Sequence, residues 1–320
     1  MEVILLSAPY MLTDPDRFRG ILEELGFQVI IPDVEERLEE EKLLQYAGKF
    51  QGAICGDDRY TEHVLEACAP ELKVISKWGT GIDSIDQAAC DRLGIQIGNT
   101  PNAFTLPVAD SVLGYMLAFA RQQPWLDREM KAGIWNKIPG HSLSECTLGV
   151  IGVGNVGKAV LRRADAFGMT LLGNDIRQIE PDFTAEHRIE MVSVNHILAK
   201  ADYVSVNCDL NPTSRGLLTR SSFQRMKKDA VLINTARGPI VNQQDLIKAL
   251  KEGEIRGAAL DVFQVEPLPE DSPLREMDNV LLAPHNANSS PTAWERVHRN
   301  TIRNLLIGLG RAPAELYEVM

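Results

Sequence analysis

Three ionisable residues in the C-terminal part of this 320-residue chain have the types and the order for proton-coupled chemistry on a small acid: Arg237, Glu266 and His285. Each follows a short apolar run that reads as a β-strand. Ala230–Asn234 leads into Thr235-Ala236-Arg237-Gly238, Gly257–Asp261 into Val262-Phe263-Gln264-Val265-Glu266-Pro267, and Val280–Leu282 into Ala283-Pro284-His285-Asn286. In open α/β sheets ligands bind beyond the carboxyl ends of the strands, so successive strands would deliver a guanidinium, a carboxylate and an imidazole to one edge. An Arg binds a carboxylate bidentately and polarises an adjacent carbonyl. A His exchanges a proton with an alcohol or carbonyl oxygen near neutral pH. A carboxylate beside it favours the imidazolium and fixes the ring. Taken singly, Arg237 reads as a capping residue, Glu266 as a loop residue and His285 as a turn histidine; the combination is what carries information.

A second signal precedes them. Leu148-Gly149-Val150-Ile151-Gly152-Val153-Gly154-Asn155-Val156-Gly157 sets a G-x-G-x-x-G pattern between an apolar strand and a helix-like run. Gly152 permits a tight turn, Gly154 lets the backbone approach a pyrophosphate, and Gly157 allows close packing of helix on strand. The helix N-terminus then offers unpaired N–H groups to the phosphates. Asp175 lies 175 − 157 = 18 residues beyond the last Gly, where a carboxylate would bind the adenosine ribose hydroxyls. A carboxylate there repels a 2′-phosphate, so NAD is expected over NADP, with Arg177 able to soften the preference. With the Arg, Glu and His, such a cofactor implies reversible hydride transfer between a 2-hydroxy and a 2-keto acid.

The elements that must position these residues alternate from end to end. Val3–Ser7, Gln28–Ile31, Gly52–Cys55, Lys73–Ser76 and Ile95–Ile97 read as strands. Helices are predicted over Asp14–Leu25, Glu35–Tyr46, Thr61–Cys68 and Ser84–Leu93. A second block begins at Leu148–Val153 and continues through Thr170–Asn174, Tyr203–Val206 and the three strands above, with helices such as Asn242–Glu252 between most of them. Such alternation means parallel strands joined by crossovers, an α/β architecture. Val108–Ala120 is apolar on nearly all sides and should be buried, in the core or against another domain or subunit. Arg121–Glu145 is expected to be an exposed arm or loop, and Pro291–Leu309 a long amphipathic helix.

Composition narrows the partners. The chain is 44% apolar and 24% charged, with a formal net charge of −11, a sign that opposes a nucleic-acid partner. No apolar run approaches the roughly 18 residues of a membrane helix, so no membrane partner is expected. The N-terminal Met1–Leu6 has no basic region before its apolar run, so no signal peptide is read. The five cysteines are scattered and none forms CxxC, and the histidines form no close pair. No disulfide framework and no metal site are therefore expected, and a cytoplasmic location fits.

These motifs resemble those of the D-isomer-specific 2-hydroxyacid dehydrogenases. The resemblance rests on Gly152 to Gly157 with Asp175, Asn234-Thr235-Ala236-Arg237-Gly238, Ala258-Ala259-Leu260-Asp261-Val262-Phe263 with Glu266-Pro267, and Pro284-His285. It implies a Rossmann-type dinucleotide-binding domain, residues 100–286, inserted into a flavodoxin-like α/β substrate domain made of residues 1–99 and 287–320. It implies Arg237 on the substrate carboxylate, His285 as acid/base and Glu266 as its partner. It also implies cofactor contacts from Thr80, Asn155, Val156, Cys208, Thr235 and Asp261, besides the glycines and Asp175. In Lys77-Trp78-Gly79-Thr80-Gly81, the loop Trp78–Gly81 would grip the substrate carboxylate through its backbone. With Ile82-Asp83 it is closest to the phosphoglycerate dehydrogenase branch, making D-3-phosphoglycerate a candidate substrate. The chain ends at Met320, where many members continue into a regulatory extension, so control by serine is not expected. Asp209 after Cys208 and Asn286-Ala287-Asn288-Ser289 after His285 depart from the family's usual residues and bear on substrate identity. Lys77 and Lys137 are expected to be solvated lysines, with phosphate binding as the alternative. A homodimer through the cofactor domain is expected. The competing reading is an NAD-sensing, corepressor-like interaction protein that retains the fold.

Overall fold

The computed structural model describes residues 1–312. The chain divides into two units, Met1–Phe104 with Ser290 onward, and Thr105–Ser289. In the first unit β1 (Val3–Leu6), β2 (Gln28–Ile30), β3 (Gly52–Cys55), β4 (Val74–Lys77) and β5 (Gln96–Gly98) form one sheet in the order β2-β1-β3-β4-β5. All neighbours are parallel, and the order is that of flavodoxin-like sheets. Both β3 and β4 are buried along their whole length, as strands covered on both faces must be. Successive residues point to opposite faces. Ala53, Cys55 and Ile75 join a core with Leu43, Phe50, Val64 and Leu65. Gly52, Val74 and Ser76 face the last helix, Pro291–Gly308, which packs on β3, β4 and β5.

In the second unit β6 (Thr147–Ile151), β7 (Thr170–Asn174), β8 (Glu190–Met191), β9 (Tyr203–Val206), β10 (Val231–Asn234), β11 (Gly257–Leu260) and β12 (Val280–Leu282) run β12-β11-β10-β9-β6-β7-β8. All pairs are again parallel. From β6 the chain winds one way to β8, and from β9 the other way to β12. The switch point between β6 and β9 is where such a doubly wound, Rossmann-type sheet opens a crevice. One core lies under the helices Val194–Lys200 and Gln243–Lys251. The other lies under Thr105–Ala120 and Asn155–Ala166.

The expected strands stand within one or two residues of the observed ones, but two of the readings between them need correction. Glu35–Tyr46 is helical only over Glu40–Leu44. The Leu38 N–H is taken by Asp58 Oδ1 at 2.8 Å and its carbonyl by the Arg59 N–H at 2.9 Å, a tertiary tie that outweighs helical periodicity. Arg121–Glu145 is not all loop: Gln123–Lys131 is a helix, held by Trp125, whose ring lies 5.0 Å from Phe119 and whose indole N–H donates to the Asp278 carbonyl. The apolar run Val108–Ala120 lies in the helix Thr105–Ala120 and is largely covered, with Ala109, Val112, Leu113, Met116 and Phe119 buried; Leu106, just before the run, is 59% exposed. Among the described residues no helix is long and apolar enough to cross a membrane, and the five cysteines are free thiols.

Candidate active site

The glycine turn leaves β6 at Gly152, whose φ of +96° only glycine adopts without strain. A Cβ on Gly152 would stand 2.4 Å from the Cys208 nitrogen, just beyond β9, and one on Gly157 would stand 2.0 Å from the Gly152 carbonyl oxygen. The turn is thus wedged into the switch point and the helix Asn155–Ala166 is drawn against it. Gly154 differs: a Cβ there would meet only the Arg177 guanidinium, at 3.6 Å. That open face lies at the start of a 12-residue helix with no side-chain cap, the kind of terminus that receives an anion.

Asp175, directly after β7, closes the turn from the next strand. Its Oδ2 accepts the Val153 N–H and its Oδ1 the Arg177 N–H, both at 2.8 Å. The Arg177 Nε stands 3.5 Å from the same Oδ1, on a side chain 71% exposed. Beside them a groove of about 470 Å³ is lined by Asn174, Asp175, Arg177, Ile179, Val192 and Ser193. Just beyond β9 and β10, the Asn207 Oδ1 and Thr235 Oγ1 atoms are buried without a hydrogen-bond partner among the described residues. Cys208 packs here, and burial pushes its thiol up to about 11, which leaves it an inert wall rather than a nucleophile.

At the ends of β10, β11 and β12 the other three residues take their places. The loop bearing Arg237 is folded by Asn234, which is 1% exposed. Its Oδ1 accepts the Ala236 N–H at 3.1 Å and its Nδ2 donates to the Arg237 carbonyl at 3.0 Å. Gly238 then abuts the neighbouring loop, since a Cβ on it would stand 1.9 Å from the Phe263 carbonyl oxygen. Glu266 receives the Phe263 N–H on Oε1 at 2.8 Å and holds His285 Nδ1 on Oε2 at 2.9 Å. The imidazole is therefore oriented through Nδ1, the arrangement of an acid–base histidine.

Asp261 builds the turn that carries His285. Its Oδ1 accepts the Asn286 N–H at 2.8 Å and its Oδ2 the Ala287 N–H at 2.9 Å, while its carbonyl accepts the His285 N–H at 2.8 Å. Burial pushes its carboxyl up, and these amides and His285 pull it down. The ties hold His285 at φ +51°, a left-handed backbone that costs a non-glycine residue roughly 1–2 kcal/mol. The sequence motifs contain Asn234 and Asp261, but the first had no assigned role and the second only a cofactor contact. A strand-terminal Asn before a turn is the signal that could have marked the first.

The remaining candidates, Trp78, Gly79, Thr80 and Gly81, belong to the first unit and follow β4. Trp78 is 3% exposed, and Gly79 has a φ of +115°. Thr100 N–H donates to the Gly79 carbonyl, Asn99 Nδ2 to the Thr80 carbonyl, and Thr80 Oγ1 to the Thr100 carbonyl. Lys77 is not a solvated lysine: it is 5% exposed, pairs with Asp57 at 3.1 Å and donates to the Trp78 carbonyl at 3.0 Å. It ends a strand buried on both faces, which a local reading of one charged residue overlooks.

Residues 113–287 match the family model described as D-isomer specific 2-hydroxyacid dehydrogenase, NAD binding domain. The chain belongs to this family. A D-3-phosphoglycerate dehydrogenase of Methanocaldococcus jannaschii is 38% identical over 293 residues, covering 88% of this chain and 54% of the relative, so the chain spans about half of that protein's length. A human glyoxylate reductase/hydroxypyruvate reductase is 34% identical over 287 residues and covers 88% of each chain. A solved structure of a Thermus thermophilus protein superposes with a TM-score of 0.81 at 31% identity, over 97% of this chain and 98% of that one. NAD is the cofactor of this D-2-hydroxyacid dehydrogenase domain, and the residues present fit it: an open Gly154 face at a helix N-terminus, an acidic residue beyond β7, and buried oxygens after β9 and β10 without a partner among the described residues.

Proposed function

We propose that the protein interconverts a D-2-hydroxy acid and its 2-keto acid with NAD. The observation that carries the reading is the Glu266–His285 contact of 2.9 Å, one strand end away from Arg237 and in the same unit as the dinucleotide turn. Bound at that turn, the nicotinamide would supply or accept a hydride. In the reductive direction Arg237 binds the substrate carboxylate and draws electron density toward the keto oxygen. His285, held by Glu266, gives that oxygen its proton; in the oxidative direction it takes the proton from the hydroxyl. The backbone of Trp78–Gly81 is assigned to the carboxylate, and Thr80, Asn155, Val156, Thr235 and Asp261 to the cofactor's surroundings.

For the acid itself we favour a small unphosphorylated 2-keto acid such as glyoxylate or hydroxypyruvate. Lys77, the cation directly before the loop in sequence, is already paired with Asp57, which argues against a phosphate there. The test is NADH oxidation with glyoxylate, hydroxypyruvate, pyruvate, 2-ketoisocaproate, oxaloacetate and 3-phosphohydroxypyruvate. Turnover of the first two well above the last supports the assignment. Tight NADH binding with no turnover on any of them would discard it in favour of a sensing role. The exposed Leu106 side of helix Thr105–Ala120 supports self-association as a homodimer, expected in light scattering as twice the 35.5 kDa chain mass. The free thiols support a reducing, cytoplasmic setting.

A further inference from the structure

The first residue of the proposed substrate loop, Trp78, is tied to the last described helix. Trp78 Nε1 donates to His298 Nδ1 at 3.0 Å, in a buried pair 220 residues apart in sequence. The two rings lie 5.7 Å apart, and Trp78 also stacks on Tyr10 at 4.1 Å and leans on Phe104 at 5.4 Å. His298 sits on helix Pro291–Gly308, is 5% exposed and lies 4.7 Å from the Phe18 ring. Burial holds its imidazole down at about 4, so it is neutral at physiological pH, with Nδ1 as acceptor.

The same helix reaches the far side of the loop. Asn304 Nδ2 donates to the Asn99 carbonyl at 2.9 Å, and Asn300 Nδ2 to Thr100 Oγ1 at 3.0 Å. Residues 99 and 100 in turn hold the carbonyls of Thr80 and Gly79 at 2.6 and 2.8 Å. With Lys77 on the Trp78 carbonyl at 3.0 Å, the loop's carbonyl oxygens at 78, 79 and 80 are each occupied by protein donors. The Trp78 N–H is spent on the Cys55 carbonyl at 2.8 Å, so the amides of Gly79, Thr80 and Gly81 are the loop groups turned to a ligand in this reading.

We propose that His298 is a positioning residue for the substrate loop, acting through the indole N–H of Trp78. This rests on the reading of that loop as the carboxylate site. It makes the C-terminal helix part of substrate recognition without touching the substrate. Removing the acceptor frees the indole to turn, and Gly79 and its neighbours lose their fixed starting point.

The test uses the full chain and compares H298L, H298N, W78F and the H298L/W78F pair. H298L should raise KM for the 2-keto acid by about tenfold, the scale of one lost buried hydrogen bond, with kcat far less affected. H298N, which keeps an acceptor near the Nδ1 position, should recover most of that loss. W78F should resemble H298L, and the double variant should be no worse than either, because both remove one interaction. NADH affinity, read by fluorescence, should not move. If H298L does not fold, W78F and H298N carry the same comparison. A wild-type KM in H298L or W78F overturns the proposal, as does a loss that H298N fails to restore. If the wild-type protein turns over none of the keto acids, the functional reading itself falls and takes this one with it; that result is read before any variant is made.

Discussion

A histidine transfers protons productively only when one ring nitrogen is committed to the protein and the other is left to the ligand. Glu266 supplies that commitment at His285, and Asp261 fixes the backbone under it. His285→Ala is therefore expected to lower kcat roughly 10²–10⁴-fold, the range for a positioned acid–base group, while NADH affinity stays near wild type; stopped-flow reduction of the keto acid checks it. Replacing Asp175 with Ala should narrow an NADH preference of at least about tenfold over NADPH, since the charge opposing a 2′-phosphate goes and Arg177 remains; equal use of the two cofactors by the unaltered protein would remove the argument. Arg237, Glu266 and His285 were legible in the sequence because each follows an apolar run that can only be a strand. The hydrogen bonds of Asp261 were not, because they join the ends of β11 and β12 and strand order is invisible in one sequence; those of Asn234 are local and had a signal in the Asn at the strand end.

The elements show where local pattern loses to tertiary ties. The stretch before Glu40 has helical spacing, yet Asp58 extends it by taking the Leu38 N–H while also receiving the Ser7 hydroxyl. Asp58 thus joins the ends of β1 and β3 to a segment that would otherwise be a helix. Burial pushes its carboxyl to about 6 from the ordinary 3.8. A raised carboxyl favours the fold when protonated, so this contribution is present below about pH 4 and lost as pH rises through 6. His298, pushed from 6.5 to about 4, has the opposite sense: its contribution is present above pH 6.5 and lost as pH falls through 4. Each shift exceeds two units, about 3 kcal/mol, and the two nearly cancel over the same window. Asp58→Asn should therefore lose stability on acidification from pH 6.5 to 4, and His298→Asn should gain it. Urea melts across that range check both, and parallel curves for the two variants would refute the assignment.

At the scale of the whole molecule, the first unit is assembled from both ends of the chain and the second from its middle. Residues 105–289 contain a complete sheet with a core on each face, so expressed alone they should melt cooperatively and still bind NADH. Residues 1–104 alone lack the helix that covers Gly52, Val74 and Ser76, and should unfold or aggregate at the exposed face. Circular dichroism melts and NADH fluorescence of the two fragments separate these outcomes. The insertion of one unit into the other was expected from the family resemblance; Thr100-Pro101-Asn102 reads as a break close to the first crossover, but no local pattern says that the chain later returns to the first sheet.

The left-handed backbone at position 285 has one further consequence. Glycine rests there without penalty and alanine does not, while both delete the imidazole. A His285→Gly protein should outlast its alanine counterpart on heating by an increment worth about 1 kcal/mol. Its vacated hollow should also accept imidazole added to the buffer, so that a small molecule restores part of the turnover. The gap between those two melting curves would measure how hard the fold bends its own chain to present one ring.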